Sequence, residues 1–112
     1  MRFTESLKKN REFKHVYSKG KSMANRLLVM YVLPNAMRHN RLGISVSKKV
    51  GNSVVRNKVT RRIRESYRLA ESEPGVGNDI IIIARTGSGT STYMGIDKAL
   101  RHLLKKQGIG GA

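Results

Sequence analysis

Eight basic side chains fall between Lys48 and Arg68, and cations at that density are suited above all to neutralising phosphate. They are Lys48, Lys49, Arg56, Lys58, Arg61, Arg62, Arg64 and Arg68, with Asn57 among them. Advancing about 100° per residue from Val55 along a helix, Val59, Ile63, Ser66, Tyr67 and Ala70 collect on one face. Asn57, Lys58, Arg61, Arg64 and Arg68 collect on the other, with Arg56 and Arg62 at its two margins and Glu65 as its only acid. A solvated structural face normally mixes signs, gaining about 0.2–0.5 kcal/mol for each (i, i+4) pair. This face accumulates repulsion instead, so it predicts a polyanionic partner. Arginine outnumbers lysine on it, and the planar guanidinium suits bidentate phosphate contacts and stacking on bases.

Groups for autonomous catalysis are sparse. The acids are Glu5, Glu12, Glu65, Glu71, Glu73, Asp79 and Asp97, and no close pair among them suits two-metal chemistry. His15, His39 and His102 are scattered without ligand spacing. The run Gly87-Ser88-Gly89-Thr90-Ser91-Thr92 lacks the third glycine of a dinucleotide fingerprint and the Gly-Lys pair of a P-loop, and reads as a mobile connection. No catalytic residue and no cofactor are expected, and no metal ligands can be assigned.

The whole composition points the same way. Twenty-three Lys and Arg against seven Asp and Glu give a formal charge of +16 on 112 residues, a self-repulsion that a polyanion would relieve. Hydrophobic residues make up 38 %, enough for one modest core, and a single domain spanning 1–112 is expected. No apolar run approaches the length of a membrane span. Met1–Asn10 carries charge without an apolar stretch of signal-peptide length, and there is no Cys. A cytoplasmic protein that binds nucleic acid, with no membrane and no evident protein partner, is the expectation.

The elements that must position these groups follow from periodicity. A first helix starts near Asn10, read as its cap, carries Phe13, Val16 and Tyr17, and stops at Gly20. Arg26–Leu33 reads as a strand ended by Pro34, with Leu27, Val29, Tyr31 and Leu33 on one face. Leu42, Ile44 and Val46 alternate with Gly43 and Ser45 in a second strand, whose small face predicts a close neighbour. Asn52 or Ser53 caps the long helix, which runs to about Ser72 before Pro74-Gly75 breaks it. Asp79–Ala84, with four successive isoleucines, reads as a strand covered on both faces. The last helix carries Ile96, Leu100, Leu103 and Leu104 on one stripe and ends at Gly108. The order is roughly α-β-β-(β)-α-β-α, an α/β (α+β) two-layer sandwich.

Phe13 and Tyr17 lie one helical turn apart and Tyr31 lies on the first strand. They pack a helix on a sheet, or they line a groove where unpaired nucleotides stack at about 1–3 kcal/mol per base. Lys14, Lys21 and Arg26 are available for phosphates alongside.

The segment from Lys49 to Glu65, with Arg56-Asn57-Lys58 at its centre, resembles the signature of the bacterial ribonuclease P protein component. So do Asn10–Tyr17, Asn25-Arg26, Gly43–Lys49 and Asp79–Arg85, and the likeness covers about residues 7–106. Lys58 stands where the motif's second arginine is usual, keeping charge and losing the fork. The resemblance implies that Leu42–Val46 and Asp79–Ala84 lie parallel, joined by the long helix in a left-handed βαβ crossover against the general right-handed preference. It implies a subunit of the ribonucleoprotein endonuclease ribonuclease P, with catalysis residing in the RNA and Mg²⁺ held mainly by that RNA. Phe13, Tyr17 and Tyr31, with Lys14, Lys21 and Arg26, would receive the 5′ leader of precursor tRNA. Lys48, Lys49, Arg56, Asn57, Lys58, Arg61, Arg62, Arg64 and Arg68 would meet the catalytic RNA. The alternative is a general RNA chaperone or ribosomal-type protein without a dedicated substrate.

Overall fold

Three consecutive isoleucines, Ile80, Ile81 and Ile82, are fully excluded from solvent. A strand's side chains alternate between faces, so the sheet around them must be covered on both sides. The computed structural model, described for residues 1–73 and 76–109, shows how. Its elements are β1 (Thr4–Ser6), α1 (Asn10–Lys19), β2 (Lys21–Ala24), β3 (Leu28–Pro34), β4 (Asn40–Ser45), α2 (Ser53–Ala70), β5 (Asn78–Ala84), a 3-10 turn (Thr86–Thr90) and α3 (Tyr93–Gln107). The five strands form one sheet in the order β1-β4-β5-β3-β2. β4 runs parallel to both β1 and β5, while β3 is antiparallel to β5 and β2.

The α+β class expected from the sequence is observed, with a helix layer on each face of the sheet. Val59, Ile63 and Tyr67 of α2 and Ile96, Leu100, Leu103 and Leu104 of α3 pack with Leu28, Met30, Leu42, Ile80 and Ile82. On the opposite face Val16 of α1 packs with Leu7 and Ile81, and Phe13, Tyr31, Leu33 and Ile83 join them. One extra strand was expected at most, and two are present. β1 and β2 are edge strands of three and four residues, too short to show alternation.

Several boundaries move for local reasons. Lys9, not Asn10, caps α1, and its backbone amide donates to Glu12 Oε1 at 3.0 Å. Leu27 leaves the face of Tyr31 and joins the α2–α3 core. Asn25 Oδ1 accepts from the amides of Leu27 and Leu28 at 3.2 and 3.0 Å, and this turn frees Leu27 from the alternation of β3. Of the two candidate caps, Asn52 and not Ser53 caps α2, accepting from the Val55 amide at 3.0 Å. α2 stops at Ala70, where the Glu71 side chain accepts from the Arg2 amide at 2.5 Å and from Thr4 Oγ1 at 2.7 Å, tying β1 down. The Pro74-Gly75 break lies outside the described residues.

Candidate nucleic-acid interface

On α2 the outward face is as basic as its periodicity predicts. Lys48, Lys49, Asn57, Lys58, Arg61, Arg64 and Arg68 are exposed, and Arg56 and Arg62 are half-buried. The first turn holds no acidic residue, so the positive end of the helix dipole adds to the cations and favours an anion. Not every cation is equally available. Arg62 Nη1 donates to the Ser91 carbonyl at 2.8 Å. Arg68 is forked onto Glu65 at 3.0 and 2.6 Å, which raises the arginine's pKa and lowers that of the glutamate. Among the described residues, Lys48, Lys49, Lys58, Arg61 and Arg64 form no ion pair within the chain.

The aromatic group assembles across the other face of the sheet. The rings of Phe13 and Tyr17 lie 6.4 Å apart, and Tyr17 meets Tyr31 edge-on at 5.1 Å and 82°. Burial, then the neighbouring Tyr31, raises the Tyr17 pKa, partly offset by the nearby Ser45 side chain. Tyr17 is the outermost ring, 39 % exposed, while Phe13 and Tyr31 are half-buried. The two readings of these aromatics are thus combined in one place: the rings pack a helix on a sheet, and their outer edge stays open.

Strand register decides which other side chains share that face. Gly43, Ile81, Tyr31 and Ser22 form one row across the sheet, and Ser45, Ile83, Val29 and Ala24 form the next. Lys21 pairs with Val32, not with Tyr31, so the register separates it from the aromatics and places it on the α3 side. Lys14 is exposed on α1. Arg26 lies in the turn between β2 and β3 and lines a recess of about 260 Å³ with Leu27, Gly87, Thr90 and Ser91. The sequence reading missed Ser22, Val29, Ser45 and Ile83. Alternation within β3, β4 and β5 carries a signal for three of them, whereas Ser22 follows only from the β2 register.

The two surfaces share a border. A recess of about 550 Å³ runs from Phe13 and Gly43 past Ile44 to Arg64 and Arg68. Beside it an ion network ties α1 to the sheet. Arg41 Nε and Nη2 donate to the two carboxylate oxygens of Asp79 at 2.8 and 2.7 Å, and Arg41 Nη1 donates to Glu12 Oε2. Asn35 Nδ2 adds a bond to Asp79 at 3.0 Å. Burial alone would raise the Asp79 pKa, but the hydrogen bonds from Arg41 and Asn35 outweigh it and hold the carboxyl below its usual range. The Lys9 amide, then Arg41, lower that of Glu12.

The Gly-rich connection after β5 is not the mobile segment expected. It forms the 3-10 turn Thr86–Thr90. Ser88, fully buried, donates through Oγ toward the carbonyls of Leu27 and Arg85 at 3.1 and 2.5 Å. A β-carbon at Gly89 would lie 2.4 Å from the Val50 carbonyl oxygen, so the turn is wedged against the loop that leads into α2.

Among the described residues no three His, Asp or Glu side chains gather as a metal site, and no helix is long and apolar enough to cross a membrane. The Ribonuclease P family matches residues 1–108. The ribonuclease P protein component of Alkaliphilus metalliredigens is 51 % identical over 106 residues, covering 95 % of this chain and 96 % of that protein. That of Lachnoclostridium phytofermentans is 58 % identical over 102 residues, covering 91 % and 88 %. The solved RNase P protein of Staphylococcus aureus superposes with a TM-score of 0.84 at 41 % identity, covering 95 % of this chain and 97 % of that one. For the Thermotoga maritima protein the values are 0.80 and 31 %, covering 91 % and 96 %. By sequence along nearly its whole length and by fold, the chain belongs to the ribonuclease P protein family.

Proposed function

We infer that the chain is the protein subunit of ribonuclease P, the ribonucleoprotein endonuclease that removes the 5′ leader of precursor tRNA. In this reading its first partner is the catalytic RNA, its second is precursor tRNA, and it works in the cytoplasm. The observation that carries the division of labour is the shared border between two unlike surfaces, where one recess is lined by Phe13 at one end and by Arg64 and Arg68 at the other.

The α2 face and its loop, Lys48, Lys49, Arg56, Asn57, Lys58, Arg61 and Arg64, meet the catalytic RNA through its phosphates. Arg62 and Arg68 contribute to the field while also holding Ser91 and Glu65. Each phosphate neutralised releases counterions, giving salt-dependent affinity without sequence readout. The leader lies on the other face, where Tyr17 and Tyr31 offer ring edges above the floor of Val29, Ile83 and Ser45. Lys14 and Arg26 reach phosphates beyond the floor. Holding the leader favours precursor over mature tRNA, because only the precursor makes these contacts.

The chemistry of phosphodiester cleavage belongs to the RNA and the Mg²⁺ bound to it. In this chain Glu12, Asp79, Glu65 and Asp97 are paired with Arg41, Arg68 and Arg101, so they do not form a donor set suited to a catalytic ion. The protein's part is to screen RNA–RNA repulsion and orient the substrate. Reconstitution with a bacterial ribonuclease P RNA tests the assignment. Restored cleavage of precursor tRNA at low Mg²⁺ is expected, and no more effect than that of a generic basic protein would favour a general RNA chaperone or ribosomal-type role.

A further inference from the structure

Glu12 immediately precedes Phe13 on α1, and Arg41 stands two residues before Gly43, on the same face of β4. The Glu12–Arg41 contact therefore sits directly beside the contact of the Phe13 ring with Gly43. All three nitrogens of the Arg41 guanidinium are engaged, two on Asp79 and one on Glu12. Asp79 is the register partner of Arg41 on β5, and its side chain is 4 % exposed against 21 % for Arg41 and 22 % for Glu12. The sheet thus fixes the guanidinium plane, and the remaining nitrogen points at the first turn of α1.

We propose that Arg41, braced by Asp79, is a positioning residue for leader recognition: it holds Glu12 and so sets the placement of α1 that brings Phe13 and Tyr17 over the sheet. The proposal rests on the leader-cleft reading given above.

The physical need for such a device is plain. α1 has ten residues and one fully buried side chain, Val16, and a helix of that length is marginal without tertiary contacts. Apolar packing is non-directional, so Val16 and Phe13 alone would tolerate a shift or rotation of the helix. A forked guanidinium is directional, and lysine, a single point charge, cannot bridge both carboxylates in this plane. Ion pairs this far out of water add little net stability over apolar replacements, which leaves orientation as the property the network supplies. The edge-on Tyr17–Tyr31 contact then follows, because Tyr17 lies one turn beyond Phe13 on the helix so fixed.

The test uses the reconstituted holoenzyme with the protein variants E12Q, R41K and F13A, and precursor tRNAs with a leader of several nucleotides or of one. Glu12→Gln leaves the Arg41–Asp79 pair and both cores in place. It is expected to raise KM for the long-leader precursor about tenfold, with kcat, the KM of the short-leader precursor and catalytic-RNA affinity unchanged. Arg41→Lys should act in the same direction. Equal losses on both precursors for Glu12→Gln would overturn the proposal, since the network would then act on the fold at large. Leader discrimination that survives Glu12→Gln but falls with Phe13→Ala would overturn it too while leaving the cleft reading intact. Discrimination that survives Phe13→Ala as well would remove the cleft reading itself, and the proposal with it.

Discussion

The ring of Phe13 rests on Gly43: a β-carbon there would lie 2.6 Å from both Cε1 and Cζ. Phe13 is thus the close neighbour that the small face of β4 admits, and it belongs to the aromatic group proposed to hold the leader.

Gly43→Ala should therefore displace Phe13 rather than unfold the chain. Overpacking of this kind costs about 1–3 kcal/mol, visible as a lowered midpoint in denaturant. Leader-dependent precursor affinity should fall with it, while affinity for the catalytic RNA, proposed to rest on the outward face of α2, should hold. An unchanged leader dependence would mean that the ring's seat on Gly43 is immaterial to binding.

The carboxyls of Asp79 and Glu12 are both held below their ordinary values. A carboxyl whose pKa is lower in the folded than in the unfolded chain contributes stability above the unfolded value and loses it as pH falls through the folded one. Stability should accordingly decline below about pH 4. Asp79→Asn should flatten that acid limb and lower stability at neutral pH by about 3 kcal/mol, because Arg41 is left partly unpaired. Denaturant titrations across the acid range measure both.

Arg61 and Arg64 are exposed and, among the described residues, make no ion pair. Replacing either with Ala should leave the melting temperature nearly unchanged and reduce the salt slope of catalytic-RNA binding by about one per residue. Arg62→Ala should differ, losing stability as well, since its guanidinium holds the Ser91 carbonyl. Filter binding over a range of salt, paired with thermal melts, separates the two behaviours.

Ser88→Ala removes a hydroxyl that ties the 3-10 turn to the carbonyls of Leu27 and Arg85. A cost of about 1 kcal/mol is expected, with faster amide exchange confined to Thr86–Ser91 and the adjoining turn at Asn25–Leu27. Exchange rates unchanged there would show that the turn is held by its glycine contacts instead.

Periodicity and charge are legible in the chain before it folds. The buried stripe of α2 through Val59, Ile63, Ser66 and Tyr67, the basic stripe opposite, the doubly covered strand of isoleucines, and the stop of α1 at Gly20 all follow from spacing along one element. These are local properties, set by the 3.6- and 2-residue repeats of the backbone. The relations between elements arise only on folding. β1 and β2 form because an edge is available to pair with, not because three or four residues show a pattern. Lys21 leaves the aromatic group, and Ser22 stands beside Tyr31, because strand register sets the face and a shift of one residue reverses it. Arg41, Glu12 and Asp79, far apart in the chain and unremarkable in composition, become one network only when β4, β5 and α1 converge.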